Sequence, residues 1–296
     1  MIVHRRVIAL DVGGTSVKSA VVAPEGRIVG ERAVTPVDSA GETESILGIF
    51  THIVESHLNQ VKPQHLDGVA LGFPGPFDYE AGICLVEGVE KYGSIYGVNL
   101  RELLRKRLNL KGLPVLFRND AEAAIVGEAC YGAGRPFRRL IGVTLGTGCG
   151  SAFIVDRQPV TSGEGVPPNG WLYPVPFHGI RADDWFSRRG LEGRLRAAGE
   201  RIDGVKEAAS AARAGYAQAR QVFEAFGTEL GTFLQPFVTA FRADAVIVLG
   251  QIAGAMDLFG PAMRRKLSAP VLTGDLGADA ALFGAADLIF KQSQET

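Results

Sequence analysis

Asp11, Gly13, Gly14, Thr15 and Lys18 fall close together, between the apolar runs Val7-Ile8-Ala9-Leu10 and Ser19-Ala20-Val21-Val22-Ala23. Two β-like runs with glycines at the tip read as a hairpin, with Asp11 ending the first strand and aiming a carboxylate into the turn. Gly13 and Gly14, having no Cβ, free the backbone to take positive φ and let a bulky anion approach. The Thr15 and Ser16 hydroxyls, the local N–H groups and the Lys18 ammonium are phosphate donors. The Walker pattern is absent and a strand follows the turn, so this is not a P-loop. An ordinary glycine hairpin would carry the same residues. A second copy changes that balance: Ile141-Gly142-Val143-Thr144-Leu145-Gly146-Thr147-Gly148-Cys149-Gly150-Ser151-Ala152-Phe153-Ile154-Val155 again reads strand, Gly/Thr turn, strand. One such hairpin in each half suggests two similar domains facing a cleft, each giving donors, Thr147 and Gly148 among them, to one polyphosphate.

The elements that must position these residues follow from periodicity. After a third strand at 27–34, Glu42–Gln60 reads as a helix with Ile46, Leu47, Phe50, Ile53, Val54 and Leu58 on one face. A buried strand at 67–72 leads into Phe73-Pro74-Gly75-Pro76, a rigid turn that exposes backbone groups or simply reverses the chain. Residues 79–98 read as irregular. Asn99 caps a short helix to Leu108, and the strand 114–117 runs into Asn119-Asp120 and a helix at 121–131. The same order restarts at Leu140. A long Gly/Pro-rich and aromatic loop spans 157–180, with helices at about 182–198 and 205–214. A helix from about 216 to 241 carries Val222, Phe223, Phe226, Leu230, Phe233, Leu234, Phe237 and Phe241 as a core stripe, with Pro236 expected to kink it.

The 296 residues are comfortable for two domains, and 46% hydrophobic with 21% charged residues is the balance of a folded globular chain. A net charge of −1 gives nucleic acid no basic face to meet. No apolar stretch approaches the ~18 residues of a membrane span, and the N-terminus lacks the apolar core of a signal peptide. Cys84, Cys130 and Cys149 are scattered and odd in number, as expected of thiols in a reducing cytoplasm.

Asp11-Val12-Gly13-Gly14-Thr15, Arg118-Asn119-Asp120-Ala121 and Leu145-Gly146-Thr147-Gly148 together resemble the phosphate 1, catalytic and phosphate 2 segments of the ROK family of sugar kinases. That family lies within the actin, hexokinase and Hsp70 superfamily, and the resemblance covers nearly the whole chain. It implies an α/β fold of two ribonuclease H-like, actin-like ATPase domains, each a mixed sheet with helices, around an interdomain cleft. Domain one would be 1–118 plus a C-terminal helix at about 278–296, and domain two 119–277, with the loop 157–180 facing the sugar. It implies ATP-dependent phosphorylation of a hexose or related hydroxyl by a cytoplasmic homodimer, with no nucleic-acid or membrane partner. Asp120 would be the general base, its ionised form favoured in the first turn of a helix. Asn119 would bind sugar hydroxyls; the alternative is that both residues do no more than cap the helix. Gly75 and Pro76 match the family's sugar-facing loop. Asp11 would hold Mg²⁺ through phosphate or water. Gly13, Gly14, Thr15, Lys18, Thr147 and Gly148 would hold the phosphates, and Gly250 the adenosine side, where the family reads Gly-Gly more often than Gly250-Gln251.

Two departures matter. Many members carry a cysteine-rich zinc segment and a histidine ligand, but no cysteine follows Cys149 here and His178 stands alone, so no zinc is expected. Where the family places a sugar-binding glutamate, this chain has Trp171, within Asn169-Gly170-Trp171-Leu172-Tyr173-Pro174; an indole stacks on a sugar face but accepts no hydroxyl protons. The family's Asn-x-x-x-Trp segment is likewise replaced by Glu90-Lys91-Tyr92-Gly93-Ser94-Ile95-Tyr96. Asp183, Asp184, Arg188 and Arg189 are candidates to supply the lost polar groups. A non-catalytic nucleotide or sugar sensor is the alternative reading. A ROK repressor is disfavoured, because the first strand begins almost at once and the charge is near zero.

Overall fold

The computed structural model describes residues 5–61, 65–87, 91–110, 112–199 and 204–292. Glu90 and the end of the expected last helix, 293–296, lie outside them. The chain divides into two compact units, one of residues 1–131 with 278–296, the other of 132–277. The boundary thus falls after Tyr131 rather than after Arg118, and the helix that opens at Asp120 belongs to the first unit.

In the first unit, β1 (Arg6–Val12), β2 (Ser16–Ala23) and β3 (Arg27–Pro36) run antiparallel, and β4 (Leu66–Phe73) and β7 (Val115–Asn119) add parallel strands on the other side of β1. The order across the sheet is β3-β2-β1-β4-β7. Central strands covered on both faces need near-continuous apolar runs, which is what Val7-Ile8-Ala9-Leu10 and Val69-Ala70-Leu71 supply, all fully buried. Helix α1 (Thr43–Leu58) buries Ile46, Leu47, Phe50, Ile53 and Val54 against this sheet's core, as its stripe predicts. The irregular stretch contains one short hairpin, β5 (Phe77–Asp78) with β6 (Ile83–Cys84). Asn99 caps α2 (Leu100–Arg107) by accepting from the Glu102 N–H at 3.0 Å.

Helix α3 (Asp120–Tyr131) packs on α9 (Ala280–Gln292) at very short range. A Cβ on Gly127 would fall on the Ala280 carbonyl, and one on Gly284 on the Ala123 carbonyl, so only glycine admits this approach. Arg118, 6% exposed, locks the arrangement by donating to the Gly284 carbonyl at 2.7 Å and pairing with Glu122 at 3.0 Å.

The second unit repeats the plan. Strands β8 (Arg139–Leu145), β9 (Cys149–Val155) and β10 (Gln158–Val160) run antiparallel, β13 (Ala245–Leu249) and β14 (Val271–Thr273) run parallel, and the order is β10-β9-β8-β13-β14. The long loop contains a small hairpin, β11 (Pro176–Phe177) with β12 (Ile180–Arg181), turning at His178-Gly179. The single helix expected over 182–198 is two, α4 (Ala182–Phe186) and α5 (Arg188–Ala197), because Ser187 is extended between them. After α6 (Val205–Arg213), α7 (Ala217–Phe241) continues through Pro236. It buries Phe223, Phe226, Leu230, Phe233, Leu234 and Phe241, with Val222 and Phe237 packed beside them. Helix α8 (Met256–Arg264) packs on it at Gly227, where a Cβ would fall on the Phe259 carbonyl. Among the described residues no helix is long and apolar enough to cross a membrane.

Candidate active site

The first unit brings Asp11, Gly13, Gly14, Thr15, Lys18, Gly75, Pro76, Asn119 and Asp120 to the carboxyl ends of β1, β4 and β7 and the turn after β1. Asp11 and Lys18 are directly opposed across the β1–β2 hairpin, and Lys18 Nζ donates to Asp11 Oδ2 at 2.8 Å. The lysine expected to meet phosphate directly is therefore paired with the carboxylate expected to hold the metal. Gly13 and Gly14 do not take positive φ. What they supply is space: the Gly13 N–H donates to Ser16 O at 3.0 Å, and a Cβ there would lie 2.9 Å from that same oxygen. Thr15 is exposed at the tip.

Asn119 caps α3. Its Oδ1 accepts from the N–H groups of Ala121 (3.1 Å) and Glu122 (3.2 Å), which fixes the orientation of the amide. Its Nδ2 donates to the Tyr79 hydroxyl at 3.1 Å, and Tyr79 donates in turn to the Phe73 carbonyl at 3.1 Å. The acceptor half of Asn119 is thus taken by the helix, leaving one amide hydrogen for a ligand. Gly75 and Pro76 are exposed and joined by a cis peptide, and a Cβ on Gly75 would lie 3.2 Å from the Tyr79 hydroxyl. Tyr79 was not legible as a site residue, because it comes from the irregular stretch after β5. Burial raises its pKa, so the phenol stays neutral.

Asp120 is the first residue of α3 and half-buried. Burial, with the nearby Asp11 carboxylate, pushes its pKa up to about 6, against the pull of the Ala121 N–H and the Lys91 ammonium. A carboxyl so poised is ionised at neutral pH yet more basic than a surface aspartate, which is what proton abstraction from a hydroxyl asks for. The donor set also fits Mg²⁺, a hard cation that takes one or two carboxylates and completes its shell with phosphate and water. Asp11 has an oxygen free of Lys18, and no group of three His, Cys, Asp or Glu suited to a metal exists among the described residues.

The second unit brings Thr147, Gly148 and Gly250 together. Thr147 and Gly148 are exposed at the β8–β9 turn, closed by Gly146 N–H to Gly148 O at 3.0 Å. Gly250 has φ +88, and a Cβ on it would fall on the Leu145 carbonyl, so only glycine brings β13 this close to the turn. Asp183 accepts from the Cys149 N–H at 2.8 Å and sits against Gly148. It is thus committed to the turn, while Asp184 pairs with Arg181 and Arg189. Trp171 is half-buried after a single 3₁₀ turn in which Asn169 has φ +58. Its ring lies 5.8 Å from that of Tyr173, giving the loop an aromatic surface. His178 meets Phe177 edge-on, with ring centroids 4.1 Å apart.

Two five-stranded sheets of one topology, each with a Gly/Thr turn after its first strand, define the actin-like ATPase class of fold. A family model described as the ROK family matches residues 7–291, and the chain belongs to that family. It is 28% identical to the glucokinase of Thermotoga maritima over 318 aligned residues, covering 96% of this chain and 97% of that protein. The structure is similar to the Streptomyces griseus ROK glucokinase solved with glucose and AMPPNP, with TM-score 0.76, 26% identity and coverage of 97% and 99% of the two chains. The fold is also that of the Thermus thermophilus ROK hexokinase, with TM-score 0.81, 23% identity and coverage of 98% and 100%.

Proposed function

We propose that this chain is an ATP-dependent sugar kinase in which Asp120 is the general base. The observation that carries the reading is Asp120 itself, raised to about 6 and placed at a helix start in the same unit as the Asp11–Thr15 turn. An acceptor hydroxyl loses its proton to the Asp120 carboxylate as its oxygen attacks the terminal phosphorus of ATP. The Asn119 amide, oriented by the α3 cap and Tyr79, donates to a neighbouring sugar hydroxyl, and the exposed Gly75-Pro76 turn supplies backbone groups. Within the first unit Gly13, Gly14 and Thr15 receive phosphate oxygens, and within the second Thr147 and Gly148, with Gly250 beside them, are the matching phosphate candidates. Asp11 would hold Mg²⁺, which when bound offsets charge on the phosphates. The nucleotide and glucose of the Streptomyces griseus complex support this choice of substrates.

Trp171 carries a second reading. An aromatic surface in place of an acceptor fits a chain that binds nucleotide or sugar without turnover. The deciding experiment is ADP release from Mg·ATP with hexoses, N-acetylated hexosamines and polyols, alongside Asp120→Asn. Turnover on one class that Asp120→Asn loses by about 10²–10⁴-fold, with nucleotide affinity kept, is expected. Tight ATP binding with no turnover across the panel would favour the sensor.

A further inference from the structure

Lys91 stands over the first phosphate turn. A Cβ built on Gly14 would lie 2.9 Å from Lys91 Cε and 3.2 Å from its ammonium nitrogen, so the lysine lies along the open face of the turn. Lys18, the other cation there, is paired with Asp11. Lys91 is exposed and has no ion-pair partner among the described residues.

The next residue pins the backbone. Tyr92 has no exposed surface, with its ring centroid 5.2 Å from that of Phe73 and 6.1 Å from that of Phe50. Its hydroxyl donates to the Gly13 carbonyl at 2.6 Å and its N–H to the Ser39 carbonyl at 2.5 Å. Lys91 therefore springs from a point tied to the turn it overlies. The same ammonium is close enough to pull Asp120 toward its ionised form, against burial and the Asp11 carboxylate.

We propose that Lys91 is a catalytic residue: it is the cation that contacts the phosphoryl group while that group passes from nucleotide to acceptor. The proposal rests on the kinase reading above. In that step the bond from the terminal phosphorus to its bridging oxygen breaks and the bond to the acceptor oxygen forms. The hydroxyl proton goes to Asp120, and the electron pair stays on the departing diphosphate. Lys91 neither gives nor takes a proton; its fixed charge offsets negative charge on the equatorial oxygens, where a preorganised cation is worth most.

The test compares Lys91→Met and Lys91→Arg with the wild-type chain, by steady-state kinetics and by calorimetric binding of AMPPNP and of ADP. Lys91→Met is expected to lower kcat by about 10²-fold or more with sugar KM changed less than about threefold. Its affinity for AMPPNP should fall by roughly tenfold with ADP affinity unchanged, and Lys91→Arg should recover much of both losses. A kcat within about threefold of wild type, equal losses toward AMPPNP and ADP, or an Arg variant no better than Met would overturn the assignment. If the wild-type chain turns over no sugar, the kinase reading fails by itself. The AMPPNP-against-ADP comparison then decides whether Lys91 sits at the terminal phosphate.

Discussion

Between roughly pH 4 and 6 the native protein holds a proton on Asp120 that the unfolded chain has already released, since the ordinary value is 3.8 and the folded one about 6. Stability from this group is therefore complete at acid pH and lost as pH rises through about 6. With each pKa unit worth ~1.4 kcal/mol, the ionised carboxylate costs the fold on the order of 2–3 kcal/mol at neutral pH. Asp120→Asn should thus raise the Tm more at pH 8 than at pH 4.5 while cutting turnover by about 10²–10⁴-fold, and kcat/KM of the wild type should climb through a limb near pH 6. A variant Tm that is unchanged at pH 8 would mean that the carboxylate sits there without strain. Tyr79→Phe tests a different coupling. Its hydroxyl links Asn119 to the Phe73 carbonyl, so the variant should lose about 1 kcal/mol and raise the sugar KM several-fold with the ATP KM unchanged. Equal shifts in both KM values would place Tyr79 outside the sugar half. Asp11, Thr15 and the Asn119-Asp120 pair were legible because glycine turns and helix starts announce themselves in composition. Tyr79 and Lys91 were not, because nothing periodic in an irregular stretch says which side chains face inward.

Helix α3 carries the proposed base at its first residue, and its seat is made by two glycines. Gly127→Ala or Gly284→Ala would drive a methyl into a backbone carbonyl that cannot step aside, and about 2–3 kcal/mol of stability should go with it. Displacing α3 also displaces Asp120, so kcat should fall even in the fraction that remains folded. Gly48→Ala in α1 is the control: nothing lies within 4 Å of the new Cβ, and the helix should gain roughly 0.5–1 kcal/mol. Urea unfolding of the three variants reads both signs in one series. Most helices could be anticipated from their stripes, α7 especially, where aromatic residues at three- and four-residue spacings became the core. The break at Ser187 could not, because its cause is tertiary: the Ser187 side chain is fully buried and the next N–H, that of Arg188, donates to the Gly146 carbonyl at 2.7 Å.

Each unit buries its own apolar cluster, and the two clusters share no residue. The matching strand orders were foreshadowed by the two Gly/Thr hairpins, whereas the place of α3 was not. Its membership in the first unit rests on its contact with α9, more than a hundred residues away in sequence, and no local pattern records such a contact. Removing the chain beyond Gly277 should therefore strip β1, β4 and α3 of the helix that covers them. Hydrogen exchange should then show protection lost throughout 5–131 and kept in 139–273. Protection lost equally in both would mean that neither unit is stable without the other.

The same arrangement sets a schedule for folding during synthesis. The second unit is one uninterrupted segment and has all its parts as soon as Gly277 has left the ribosome. The first unit must wait for α9, made only after the whole of the second unit, with Gly127 and its neighbours on α3 uncovered in the meantime. Of the two units, the one whose strands are translated earlier is the one that folds later, and in the interval its newborn sheet is the surface most in need of a chaperone.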